Sequence, residues 1–140
     1  MSAATYLAMP LRNLAVVAAD DLNHFCGNRQ QPVDSVKALV FTLEAAAHPL
    51  TPPSAVQPVH DALRLTAREG EHMPLEAVRS YAGFLAEQLN LAIKAQPPRE
   101  NYAFLTERCL RLSEASEKVD QRMATTLSPM RFSATSAARP

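Results

Sequence analysis

The 140-residue chain contains no tryptophan, little glycine and little cysteine, and the last two shortages each exclude a class of site. With only three glycines it cannot build a glycine-rich loop around phosphates, and it lacks the GxxxxGK[ST], GxGxxG, GxSxG and HExxH motifs. Its two cysteines, Cys26 and Cys109, are far apart, which argues against a disulfide framework and for a reducing compartment. We therefore predict neither a cofactor nor catalytic residues.

A long apolar run and an excess of charge of one sign are also lacking. The 14 basic and 14 acidic side chains balance, which disfavours a strongly basic nucleic-acid binder. No run approaches the roughly 18–20 apolar residues of a membrane span, and the first charged residue is Arg12, unlike a signal peptide. We expect a cytoplasmic protein with no membrane contact. The excess of arginine (11) over lysine (3) is associated with GC-rich bacterial or phage genes.

Proline is abundant and divides the chain. Eleven prolines separate stretches rich in alanine and leucine, which favour helices, whereas few segments alternate in the manner of strands. The pattern predicts an all-α protein: a bundle of four to five helices with short, proline-marked connections. We expect one domain over 1–127 and a disordered tail over 128–140, where the sequence has no acids and no periodicity.

Five helices are predicted, over 4–25, 33–47, 57–68, 73–95 and 99–126. Pro10 is awkward inside the first helix, so a start near Met9 is the alternative. Asp34 or Ser35 would cap the second helix. Apolar spacing predicts a core of Leu11, Leu14, Leu39, Leu43, Leu63, Val78, Leu85, Leu89, Leu105, Leu112 and Val119.

The last predicted helix carries a heptad pattern of apolar and small residues. The stripe consists of Tyr102, Leu105, Cys109, Leu112, Ser116, Val119 and Met123. Two interpretations stay open at this point. The stripe either packs inside the protein's own bundle, or it forms a seam with a second copy of the chain or with a partner helix.

Candidate metal ligands and nucleophiles are few. His24 and Cys26 lie close in sequence, and Cys109 or His60 could complete a zinc site with them in space. A nucleophilic cysteine would need a neighbouring base, and only His24 lies near Cys26 in sequence. Neither spacing is diagnostic, so we interpret these residues as core and helix-end positions and predict no metal site.

Partner binding is the function that the sequence favours most. The predicted partner-binding residues lie off the heptad stripe of the last helix: Phe104, Leu110, Arg108, Arg111 and Arg122. We expect a non-enzymatic interaction module (an adaptor, chaperone, inhibitor or regulatory subunit) whose partner is another protein or a second copy of the chain. One alternative is a small nucleic-acid-associated regulator that uses the basic residues of the last helix and tail. A second is an enzyme or ligand carrier with a pocket between helices.

Overall fold

The computed structural model describes residues 3–24, 34–67, 73–95 and 99–127. This part of the chain contains no strand and confirms the predicted all-α class. Its six helices are α1 (Ala3–Leu7), α2 (Leu11–His24), α3 (Asp34–Ala47), α4 (Gln57–Ala67), α5 (Leu75–Ala95) and α6 (Arg99–Leu127), with a short 3₁₀ helix over Pro53–Val56 before α4. The predicted tail, 128–140, lies outside the described residues. None of the helices described is long and apolar enough to cross a membrane.

The helix count exceeds the predicted four to five because Pro10 divides the first helix. Proline has no amide proton and clashes with the preceding turn, so a helix cannot run through it undisturbed. The chain forms the short α1, breaks, and begins α2 at Leu11, where the Pro10 carbonyl accepts a hydrogen bond from Leu14 N at 3.0 Å. The alternative start near Met9 is therefore close to the observed one. Leu7, which a continuous helix would place on the same side as Leu11 and Leu14, is 43% exposed.

The core lies between helices that are mostly distant from each other in the sequence. α2 packs chiefly on α6, α3 packs chiefly on α5, and α4 contacts both α6 and α5. Every residue of the predicted core is buried except Leu11, which is partly buried against it. Asp34 and Ser35 do not precede α3 as caps but lie within it, and the Ser35 hydroxyl donates to the Asp21 carboxylate of α2.

Side chains from two later helices hold the end of α3. The last carbonyls of a helix have no partner within the helix and need one elsewhere. Nε2 of His60, a fully buried residue of α4, lies 3.1 Å from the Ala46 carbonyl. The Arg79 guanidinium of α5 donates to the carbonyls of His48 and, at 3.0 Å, of Thr51. The proline-rich elbow between α3 and α4 is thus tied to the body of the bundle.

The heptad stripe of α6 lies inside the bundle. All its members from Tyr102 to Val119 are buried, while Met123 lies outside the residues whose side chains are described. The stripe meets α2 and α4, which are the principal neighbours of α6. This decides between the two interpretations of the pattern: over residues 102–119 the seam is internal and offers no surface to a second copy or a partner helix.

Candidate functional site

A cluster of one aromatic, two basic and one acidic side chain lies on the outer surface of α6. The Arg108 guanidinium carbon lies 5.0 Å from the centroid of the Phe104 ring, and that phenylalanine is still 41% exposed. One turn further on, Arg111 Nη2 forms an ion pair with Glu107 Oε1 at 2.9 Å. Spacings of three and four residues bring these side chains together on one side of the helix. We call Phe104, Glu107, Arg108 and Arg111 the Phe104 cluster.

Tyr81 of α5 borders this cluster. Burial raises the pKa of its phenol, while the nearby guanidinium groups of Arg108 and Arg111 act in the opposite direction, with a smaller effect. The Tyr81 hydroxyl is buried and has no hydrogen bond of ordinary geometry, although Arg108 approaches it closely. Arg108 thus lies between an exposed aromatic ring on its own helix and a largely buried phenol on the neighbouring one.

The other two predicted partner-binding residues do not join Phe104 and the arginines. Leu110 is 43% exposed and borders the cluster beside Glu107, three residues earlier, but it lies about 120° around the helix axis from Phe104. Arg122 is exposed and lies roughly 27 Å along α6 from Phe104, since each residue rises about 1.5 Å. Of the five predicted residues, the structure therefore brings together Phe104, Arg108 and Arg111.

An open groove of about 510 Å³ lies between α2 and α6. Its apolar lining is Met9, Val16 and Val17, and its polar lining is Arg12, Asn13, Ser113 and Glu117. The Ser113 hydroxyl donates to the Arg12 carbonyl at 2.8 Å and ties the two helices at the base of the groove. A weak ion pair between Arg12 Nε and Asp120, 3.7 Å long and half-exposed, lies beside it. We call this feature the α2–α6 groove.

The candidate metal ligands and nucleophiles are dispersed. Cys26 lies outside the described residues, and among those described no group of three or more His, Cys, Asp or Glu could hold a metal ion. Cys109 is a free thiol in the core, and burial raises its pKa to about 12. Since the thiolate is both the nucleophile and the metal ligand, a neutral thiol at this position is inert near pH 7. His60 packs in the core and forms a hydrogen bond with the Ala46 carbonyl of α3.

Sequence reasoning missed two features of these surfaces. Tyr81 belonged to the apolar face of its helix in the sequence pattern, and no local signal links it to Arg108, 27 positions later. Val16 and Val17 lie off the side of α2 that carries Leu14, Ala18 and Leu22, and their position in this pattern is the only sequence signal that they line the groove. Comparison of the chain with protein-family models, with curated proteins and with solved structures finds no match.

Proposed function

We propose that this chain is a non-enzymatic protein-interaction module of the cytoplasm that binds its partner through the Phe104 cluster. The observation that carries the proposal is the Arg108 guanidinium stacked on a half-exposed phenylalanine at 5.0 Å. Aromatic residues and arginine are enriched in protein interfaces and among the residues that contribute most to binding energy. Lysine, glutamate and aspartate, by contrast, are depleted there.

The arginine side chains of the cluster are restrained before a partner binds. The Glu107 ion pair restrains Arg111, and Phe104 restrains Arg108, so part of the side-chain entropy is lost before a partner arrives. The arginines leave the face with exposed positive charge beside an apolar ring. This favours a partner segment that combines acidic residues with an apolar side chain. The proposed role is that of an adaptor, chaperone, inhibitor or regulatory subunit.

Photocrosslinking at the cluster tests this proposal. A photoreactive phenylalanine analogue replaces Phe104 in one variant and Phe41 in the control. Phe41 is a suitable match because it is 62% exposed and lies on α3, away from α6. After irradiation in host lysate treated with nuclease, the Phe104 variant should capture a discrete protein that the Phe41 variant does not.

A second pair of variants tests whether the cluster contributes binding energy. Phe104→Ala should weaken binding of the captured protein by about tenfold or more, which corresponds to about 1.4 kcal/mol. Phe41→Ala should leave the affinity unchanged. Equal affinity in both variants would remove the cluster from the interface. If the captured protein is the chain itself, the partner is a second copy.

One observation favours the nucleic-acid alternative. Arg108, Arg111 and Lys118 lie on the same face of α6, and Arg122 lies on that face about one turn beyond Lys118. A basic helix face of this kind could contact successive phosphates, and the affinity for nucleic acid would then fall steeply as the salt concentration rises. A second sample of lysate is left without nuclease before irradiation. Capture in that sample, but none in the nuclease-treated one, would support this function over protein binding.

A further inference from the structure

The Phe104 cluster favours a partner surface that is both acidic and apolar, and the chain carries such a surface on α5. Phe84 and Leu91 are 48% and 47% exposed, and their spacing of seven residues places them on one face of the helix. Glu87, an exposed residue, lies between them on the same face. We call Phe84, Glu87 and Leu91 the α5 face.

The charge of the α5 face is opposite to that of the cluster. Glu76 and Glu87 are exposed on this side of α5, and no exposed base precedes Lys94 near the end of the helix. In the Phe104 cluster, Glu107 offsets one of the two guanidinium charges, so the cluster keeps a net positive charge. Complementary charges across an interface speed association and fix its register.

The exposed faces of α2 and α3 do not combine these properties. On α3, Phe41 and Glu44 repeat the spacing of the first two members of the α5 face, but Lys37 lies one turn before the phenylalanine and offsets the acid. On α2, a base and an acid lie one turn to either side of the exposed valine. Only α5, among these three helices, presents large apolar side chains with an excess of negative charge.

The α5 face lies next to the cluster on the same molecule. Tyr81, which borders the cluster, precedes Phe84 by three residues and lies about 60° from it around the α5 axis. Towards the end of α5, the Tyr102 hydroxyl of α6 donates to the Ala92 carbonyl at 3.2 Å. The apolar residues of both surfaces remain exposed on a single copy. A two-fold axis between two copies would bring each α5 face onto the other copy's cluster, so that both contacts form together.

On the basis of the proposed function, we propose that the Phe104 cluster binds a second copy of this chain through the α5 face of that copy. In this isologous dimer the apolar residues of each α5 face cover the Phe104 ring of the other copy. Glu87 lies beside the arginines of the other copy's cluster. The chain has no net charge, so the two copies do not repel each other as a whole.

Sedimentation equilibrium of the full-length protein tests the dimer. The wild type should fit a monomer–dimer equilibrium, and Glu87→Arg should weaken dimerisation about tenfold or more because it faces the arginines of the other copy. Glu44→Arg on α3 is the matched control, since Glu44 is also an exposed acid three residues after an exposed phenylalanine. The control should leave the dissociation constant of the dimer unchanged. Circular dichroism would verify that both variants fold.

A mixture of two variants separates this pairing from general association. Arg111→Glu should also weaken the dimer, because the altered cluster then carries a net negative charge towards Glu87. When Glu87→Arg and Arg111→Glu are mixed in equal amounts, a heterodimer should form. In the heterodimer each of the two contacts joins opposite charges, whereas in either variant alone both contacts join like charges.

Three results would overturn the dimer. They are a wild type that stays monomeric into the millimolar range, equal effects of Glu87→Arg and Glu44→Arg, and a mixture that forms no heterodimer. The proposed function fails separately. If the photoreactive residue at position 104 captures a different protein, and Phe104→Ala weakens its binding, the cluster remains a partner site without the dimer.

Discussion

The guanidinium of Arg108 lies over the ring of Phe104, one helical turn before it, and faces the phenol of Tyr81 on the neighbouring helix. This relationship can be tested without knowledge of a partner. Arg108→Met keeps most of the side-chain bulk but removes the charge that lowers the pKa of Tyr81. We therefore expect the Tyr81 pKa to rise further above its ordinary value of 10.0. Ultraviolet titration of the phenolate band would show this, with Tyr81→Phe identifying the affected group.

The internal position of the α6 stripe predicts unequal effects of two leucine substitutions on one helix. Leu112 is completely buried, so Leu112→Ala should lower the free energy of unfolding by about 2–5 kcal/mol through lost contacts and a cavity. Leu110 is 43% exposed, and Leu110→Ala should change it by roughly 0.5 kcal/mol or less. Urea denaturation measures both. Similar losses in the two variants would contradict an internal seam.

The bond from His60 to the end of α3 predicts that this histidine stabilises the fold. His60→Ala removes a buried ring and leaves the Ala46 carbonyl unpaired, so the unfolding free energy should fall by about 2–4 kcal/mol. His60→Leu fills the space again, and it removes the unpartnered Nδ1, so it should cost less. His48→Ala is the exposed control. An alanine variant as stable as the leucine variant would exclude the packing contribution.

Gly83, inside α5, is predicted to be replaceable by alanine. A Cβ added there would lie 3.6 Å from the Ala47 Cβ, an ordinary van der Waals contact. Gly83→Ala should therefore stabilise the protein by about 0.5–1 kcal/mol, the usual difference between the two residues within a helix. Gly83→Val adds bulk toward α3 and should not give this gain. A lower melting temperature for the alanine variant would show that α3 and α5 need the glycine.

The buried thiol of Cys109 predicts a loss of stability in alkali. Its pKa is about 12 in the fold and near 9.0 when the chain unfolds, so folding favours the protonated form. The resulting stabilisation is complete below pH 9 and is lost as pH rises toward 12. The loss amounts to at most about 1.4 kcal/mol per pH unit. Cys109→Ala should therefore lose stability less steeply than the wild type as the solution is made alkaline, as measured by urea denaturation.

Much of the fold was predictable because prolines mark the ends of the helices. The proline-rich breaks predict where α4 and α6 begin, at Gln57 and Arg99. The spacing of apolar residues between the breaks predicts which side chains form the core. Pro10 was the ambiguous case, since a proline within the first turn and one just before a helix look alike in sequence. The approach of Arg108 to Tyr81 depends on how α5 and α6 lie in space, which no local pattern encodes.

The pairing of α2 with α6 has a consequence for how the protein is made. Among the long helices described, α2 is synthesised first, and its principal neighbour, α6, is synthesised last. Until α6 emerges, the apolar face of α2 lacks its principal neighbour, and contacts between distant parts of a chain form slowly. During synthesis, α3 is thus the neighbour that can cover Leu14 and Leu22 before α6 is complete.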